Sequence, residues 1–565
     1  MIRNRAPIRM GFLPAVASLV LMTTACFGAP EESPSSPGQS AGATTSSAPK
    51  ASGSAKRKSP QSTEPVSLSW GPTEEQYDDA RTAVANMSLE EKAGQVLIQF
   101  YSGTNPDVAV ERSRRLHLAG SIIMGDNVPR TASGVVDVES MAAITERLAK
   151  AAGQGRDWPA VIAIDQEGGL VARLGAPLTL WPTPMTYGAS RDPDVARRAQ
   201  QSINEELAAL GFTVNFAPDA DVTIGAADPT IRSRSFGSVP RLAASMTVGA
   251  VEGALTTGVL PVVKHFPGHG SVTTNSHLGL PVQQASVAKL KQRDWRPFKA
   301  AIEQGAPMIM MGHIAVEALD PGVPASVSPD GYDALRGLGF EGVAVTDAMN
   351  MGAIQDQYAP GEASALALAA GADLILMPAD VEAAHAAIVA GVRDGSIPSQ
   401  RLDEAATRVV AMMKYQQSLA GDAAPGMGAI GSHQDVSQGA SAAGLTVLEG
   451  PCEGAIVGGS VRVAGGTAQD RARFRAAAAR HDVSTGSGPL VVLLAPGASG
   501  SGDIVVSLGG PWPLAASQAS TSRIALYGRT PGAFDALFDF LTSNAPAPGQ
   551  LPVEVGNLPA GTGCN

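Results

Sequence analysis

The stretch Lys264-His265-Phe266-Pro267-Gly268-His269-Gly270, continuing to Asn275-Ser276-His277, concentrates groups that could move protons: three of the chain's 8 histidines lie in it. It follows an apolar run, Val259-Leu260-Pro261-Val262-Val263, that reads as a buried strand, and its proline and glycines favour a loop over a continuing helix. Cationic and titratable side chains therefore emerge at a strand end, on backbone that Gly268 and Gly270 can bend sharply. Histidine is the side chain best matched to proton transfer near neutral pH. The rival reading is a metal centre, because His265 and His269 are spaced i, i+4. That spacing aligns two ligands only on a helix, which Pro267-Gly268 opposes, and no nearby cysteine or carboxylate completes a ligand set. No metal is expected. Farther on, Val345-Thr346-Asp347-Ala348-Met349 sets a carboxylate directly after an apolar run, where an Asp is either a helix N-cap or a competent nucleophile.

Groups so far apart in sequence need a scaffold that gathers strand ends. Short apolar runs suited to strands occur at Val96–Phe100, Ser121–Met124, Val161–Ile164, Thr213–Phe216, Pro261–Val263, Met308–Met311, Val343–Thr346 and Leu374–Met377. Helical patterns alternate with them, among them Val195–Leu210, Arg241–Leu255, Val287–Gln304 and Ala363–Ala370, and Ser88-Leu89-Glu90-Glu91 is a capping box. This alternation predicts a (β/α)8 TIM-type barrel over residues 67–420, closed by a helix at Arg401–Gln417. Asp165-Gln166-Glu167-Gly168-Gly169 follows the third run, Lys264-His265 the fifth, Gly312-His313 the sixth and Asp347 the seventh. All fall at carboxyl ends of strands, the face on which barrel active sites form.

After a Gly/Ala/Pro-rich linker at 421–435, residues 436–565 are expected to form a smaller α/β layer domain. Its strands would be Gly454–Val457, Leu490–Leu494, Ile504–Leu508 and Arg523–Tyr527, its helices Ala468–Arg480 and Gly532–Thr542. The N-terminus is not fold. Arg3, Arg5 and Arg9 precede a short apolar run, Gly11 to Met22, and then Thr23-Thr24-Ala25-Cys26, which is the layout of a secretory signal. A small residue before Cys26 resembles a bacterial lipobox, so residues 1–26 are expected to be a lipoprotein signal peptide with Cys26 lipid-modified. An ordinary signal peptide with an incidental cysteine is the alternative. Residues 27–66, rich in Ser, Pro and Gly, make a flexible tether. The chain should then be extracytoplasmic and anchored to the cell membrane by lipid. Cys452 and Cys564 remain as an even pair in an oxidising compartment, where a disulfide is expected. A net charge of -11 argues against a nucleic-acid partner, and a monomer is the default.

The string KHFPGHG with Ser276-His277 beyond it resembles the signature of family 3 glycoside hydrolases of the β-N-acetylglucosaminidase branch, the NagZ-like enzymes; the resemblance covers Tyr77–Pro559 and is strongest in the barrel. It implies the same barrel fold, a small GlcNAc-terminated carbohydrate substrate and no cofactor. His277 would be the general acid/base, and Asp347, in VTDAMNMGAI, the nucleophile. Asp165 and Arg173 (DQEGGLVAR, where the family usually has Arg at the position of Leu170), Arg234 in RSFG, and Lys264 and His265 would hold the sugar. Arg232 reads as a solvated neighbour, and Asn215-Phe216-Ala217-Pro218 as structural. The departure is Asn275, where the family usually carries the Asp that forms a dyad with the histidine. Asn can orient the ring but supplies no charge.

The leading expectation is a retaining exo-β-N-acetylglucosaminidase acting on peptidoglycan-derived fragments. Its rivals are a family 3 β-glucosidase or phosphorylase and, because of Asn275, a catalytically impaired, lipid-anchored muropeptide-binding protein.

Overall fold

Each of the eight apolar runs becomes a strand of one parallel sheet in the computed structural model, which describes residues 66–421 and 425–564. The strands are β1 (Leu97–Gln99), β2 (Gly120–Ile123), β3 (Val161–Ile164), β4 (Val214–Asn215), β5 (Leu260–Phe266), β6 (Met308–Met311), β7 (Val343–Thr346) and β8 (Ile375–Leu376). Each of β1–β7 pairs with its neighbour in sequence, and β8 returns to β1, with Leu97 opposite Ile375. A parallel bridge between Val345 and Leu374 closes the ring, so the expected (β/α)8 barrel is present. Continuous apolar runs suit it because every strand is buried on both faces.

One buried carboxylate secures the closing seam. Asp373, just before β8, accepts from Arg336 (2.6 Å), Arg401 and Arg408 (3.0 Å) and from the Ala344 N–H of β7 (3.0 Å). Arg401 and Arg408 lie on the helix Ser399–Ala420, which packs over the barrel. The helix expected at Val287–Gln304 is two helices, Val287–Gln292 and Arg296–Glu303. Pro297, in the first turn of the second, supplies no N–H to carry an earlier helix through. At that break Trp295 donates from Nε1 to the Pro267 carbonyl (3.0 Å), bracing the loop after β5.

The second domain is a five-stranded sheet of β9 (Thr446–Glu449), β10 (Ser460–Gly465), β11 (Ser484–Leu494), β12 (Ser501–Ser507) and β13 (Gln518–Ala525), in the order β9-β13-β12-β11-β10. Only β9 runs antiparallel to its neighbour. Helices Ala468–Arg480 and Pro531–Thr542 share the core with it through Phe474, Phe534 and Phe538. The strand expected at Gly454–Val457 is absent. Its Ala455 and Val457 N–H groups instead bond the Phe540 and Leu541 carbonyls at the end of the last helix, at 3.1 and 3.0 Å. Cys452 and Cys564 are joined by a disulfide across a separation of 112 residues.

The domains meet over the carboxyl face of the barrel. Thr183 donates from N–H and Oγ1 to the Tyr527 carbonyl (3.1 and 2.9 Å), and Arg191 reaches the Leu551 carbonyl (2.9 Å). Met185 and Ala189 join Leu514, Tyr527, Leu551 and Val553 in one apolar cluster. Helix Gln434–Gly444 bridges the two, with Ala440 in a barrel-side core and Gln438 against Gly532. Cys26 and the expected tether through Pro65 lie outside the described residues, among which no helix is long and apolar enough to cross a membrane.

Candidate active site

Strand β5 runs three residues past the apolar segment, so Lys264 and His265 stand on the sheet rather than on the loop beyond it. Ladder bonds cause this: Lys264 N–H donates to the Pro218 carbonyl (3.1 Å), and Gly312 N–H to the Phe266 carbonyl (2.7 Å). Gly268 then turns the chain at a φ of 117°, with Asp294 Cβ 2.7 Å from where a side chain would begin.

Lys264 Nζ, fully buried, lies 2.7 Å from Asp165 Oδ1 and 2.7 Å from Glu167 Oε1. Arg234 grips Glu167 with two parallel bonds, Nε to Oε2 at 2.9 Å and Nη2 to Oε1 at 2.8 Å. Arg173 reaches Asp165 Oδ2 at 3.1 Å. Five sequence-predicted binding residues, Asp165, Arg173, Arg234, Lys264 and His265, thus converge, with Glu167 at the centre. Burial alone would push Glu167 up, but Arg234 and Lys264 outweigh it and hold the carboxyl well below its ordinary range. Burial likewise opposes the Lys264 charge, and Asp165 and Glu167 more than restore it. Arg234 owes its position to a turn gathered by Asp228, which accepts the N–H groups of Thr230, Ile231 and Arg232 at 2.9, 2.9 and 3.0 Å.

Two further carboxylates come from the segment after β4. His265 Nδ1 lies 2.7 Å from Asp221 Oδ2, and Asp219 Oδ2 is 3.5 Å from Arg234 Nη2. Burial raises Asp221 to about 7, against the His269 N–H bond and Arg234. Burial, then Asp221, raise Asp219 well above the carboxylate range. Burial lowers His265 to about 4, so its ring is neutral near pH 7. Asp219, Asp221 and His265 bring three ligand-type atoms within 4.8 Å of one another. The Arg234 guanidinium already sits against that group, and a cation there would have to displace it. The i, i+4 pair does not converge as two ligands: His269 Nε2 is engaged with Ser276 Oγ at 2.8 Å.

Asp347 is half-buried at the end of β7, its N–H bonded to the Met311 carbonyl (2.8 Å) and its Oδ1 accepting from Ala348 N–H (2.7 Å). Its Oδ2 accepts no hydrogen bond among the described residues. Burial would raise this carboxyl, but His313, His265 and the Ala348 N–H prevail and hold it at about 2. His313, after β6, accepts the Ser326 hydroxyl at Nδ1 (2.6 Å) and donates from Nε2 to the Ala348 carbonyl (3.0 Å), bracing the same turn. Burial lowers His313, and His277 is close enough to add to that fall.

His277 is exposed on the loop after β5, with Asn275 Oδ1 3.0 Å from its N–H and 3.1 Å from its Nδ1. That contact places the ring proton on Nδ1 and leaves Nε2 outward. The loop docks on the turn that follows Asp347: Ala353 N–H donates to the Ser276 carbonyl (3.2 Å), and a Cβ on Gly352 would meet the His277 carbonyl at 2.8 Å.

Sequence reasoning assigned no role to Glu167, Asp219, Asp221 or His313. Glu167 and His313 sat in strand-end strings already singled out. Asp219 and Asp221 directly follow β4, and the same strand-end criterion would have found them.

Burial lowers His269 from 6.5 to about 4, with His265 adding to the fall. The unfolded chain therefore binds a proton there that the native chain refuses, and stability falls as pH drops from about 6.5 to about 4. For this group the loss is at most about 3 kcal/mol. Urea melts at pH 7 and pH 4.5 should show a smaller acid loss for His269→Gln than for the parent; equal losses would refute this titration.

Residues 88–412 match the glycosyl hydrolase family 3 N-terminal domain. The chain is 36% identical over 294 residues to beta-hexosaminidase A of Pseudoalteromonas piscicida, covering 49% of this chain and 48% of that protein, so it spans about half the length of that relative. It is 32% identical over 275 residues to beta-hexosaminidase LpqI of Mycobacterium tuberculosis, covering 47% of this chain and 71% of that one. A family 3 beta-N-acetylglucosaminidase structure from Paenibacillus superposes with a TM-score of 0.72 at 26% identity, over 82% of this chain and 98% of the other. The chain belongs to glycosyl hydrolase family 3.

Proposed function

We propose that the protein is a retaining exo-β-N-acetylglucosaminidase that removes terminal GlcNAc from peptidoglycan-derived fragments. The observation that carries this reading is Asp347: one carboxylate oxygen is fixed by Ala348 N–H, the other accepts no bond among the described residues, and His265 and Lys264 are near enough to act on its charge. In the reading, Asp347 Oδ2 attacks the anomeric carbon as the glycosidic C–O bond breaks, and protonated His277 gives its Nε2 proton to the leaving oxygen. Water then attacks the glycosyl–enzyme bond while Nε2 takes its proton back, and Asp347 departs as carboxylate. Asn275 Oδ1 holds Nδ1–H throughout. Asp165, Arg173, Arg234, Lys264 and His265 take the sugar hydroxyls. The beta-N-acetylglucosaminidase from Paenibacillus, alike over most of both chains, supports the sugar assignment.

We further propose that Cys26, in its Thr-Thr-Ala-Cys setting, carries a lipid anchor outside the cytoplasm. Cys26→Ala should move the protein from the membrane to the soluble fraction; a variant that still partitions with membranes would refute the anchor.

The catalytic reading is tested with 4-nitrophenyl N-acetyl-β-glucosaminide and a GlcNAc-terminated disaccharide. Asp347→Ala should abolish turnover of both in a folded protein. Asn275→Asp puts a charge beside His277, stabilises the imidazolium and should raise kcat/KM by about tenfold or more, chiefly on the disaccharide, whose leaving group needs the proton. Near-normal turnover in Asp347→Ala would overturn the nucleophile assignment.

A further inference from the structure

A cavity of about 690 Å³ lies between the barrel face and the second domain. Its barrel wall includes the hairpin from Gln166 to Ala172, and loops after β11, β12 and β13 form the opposite wall. Asp347, His277 and Lys264 do not line it. The cavity and the sugar-side cluster share walls but face apart: Asp165 and Glu167 turn to Lys264, while Gly168 and Gly169 border the cavity. In the same way Arg234 pairs with Glu167, and Arg232, two residues earlier, lines the cavity.

Its charge is one-sided. Arg232, Arg473 and Arg529 line it, and no aspartate or glutamate among the described residues does, in a chain of net charge -11. Arg232 sits at a φ of 53°, a left-handed conformation costly for a side chain, with its N–H held by Asp228, and its guanidinium makes no bond among the described residues. Arg473 spends one N–H on the Arg529 carbonyl (2.6 Å) and forms no ion pair among the described residues, with Asp470 the carboxylate near enough to act on its charge. Arg529 comes no nearer than 3.4 Å to Asp470, whose Oδ2 already accepts the Thr467 N–H and hydroxyl at 2.8 Å each. Arg529 Nη2 and Trp512 Nε1 are buried donors with no acceptor among the described residues. Unmet buried donors cost stability unless something supplies acceptors. The remaining walls are largely apolar, with Leu170, Trp181 and Trp512 among them, and the volume suits a small organic molecule.

We propose that this interdomain cavity is a second binding site, separate from the sugar pocket, for an organic anion: a carboxylate or phosphate on a ring-sized apolar body. The three guanidinium groups supply charge-assisted donors for the anion, and the tryptophans and leucine cover the ring. The anion could be free or could belong to the leaving-group portion of an acidic substrate, and the test separates these.

Calorimetric titration of the full chain with phenyl phosphate and with benzoate should show binding, and benzyl alcohol should bind at least about tenfold more weakly. Arg473→Gln/Arg529→Gln should weaken both anions by about tenfold or more. Arg232→Gln, at an exposed side chain without partners, should weaken them in a protein that melts like the parent. Asp347→Ala should bind them as the parent does. A Kd for the anions unchanged by Arg232→Gln and by the double variant, or equal binding of benzyl alcohol, would overturn the site. Anion binding lost in Asp347→Ala but kept in the arginine variants would place it in the sugar pocket and also overturn it. If Arg232→Gln raises KM for a disaccharide with a carboxylate on its reducing sugar but not for the 4-nitrophenyl substrate, the anion is part of the substrate. If it weakens phenyl phosphate and leaves both KM values unchanged, the ligand is free; either result keeps the site.

Discussion

Lys264 is a buried ammonium with two carboxylates 2.7 Å away, and the geometry of the barrel's open face depends on that contact. A lysine so enclosed would shed its proton without partners, and the carboxylates would take one up without it. Each member therefore makes the others tolerable, and the set draws together the end of β3, the turn carrying Arg234 and the last residues of β5. Removing one partner from a buried set leaves charge uncompensated, at a cost of about 3–5 kcal/mol. Asp219 and Asp221 exceed the available cations and are kept neutral more readily, which is why burial raises them while Glu167 falls.

The groups assigned to bond cleavage are held differently. Asp347 is fixed by backbone, through Met311 and Ala348, and is only half-buried. His277 is exposed on a loop that docks on the turn after Asp347 and is oriented by a neutral amide. The rigid, charge-paired part of the site is suited to holding a sugar, and the mobile proton lies at the open side, where a leaving group must depart. An amide at Asn275 keeps the tautomer and gives up the charge that would stabilise the imidazolium.

Much of this was legible in sequence, for a physical reason. Parallel barrel strands are buried on both faces, so all eight appeared as short apolar runs, four of them with reactive residues at their ends. The second domain was less legible because its sheet is half solvated. β10 is only partly buried and the first half of β11 is exposed and polar, while the apolar Gly454–Val457 bonds helix carbonyls instead of a strand. The matching of Glu167 to Arg234 and Lys264 was hidden, since ion-pair partners that meet only in three dimensions leave no spacing to read. For the same reason Arg232, Arg473 and Arg529, from three separate segments, gave no sign that they line one cavity.

The most direct test of the account is a double-mutant cycle on kcat/KM with Glu167→Gln, Lys264→Met and the pair, using 4-nitrophenyl N-acetyl-β-glucosaminide. If Glu167 acts by holding Lys264, the double variant should lose less than the sum of the single losses by about 1 kcal/mol or more. Losses that add to within about 0.5 kcal/mol would contradict the claim that the buried charges work as one unit.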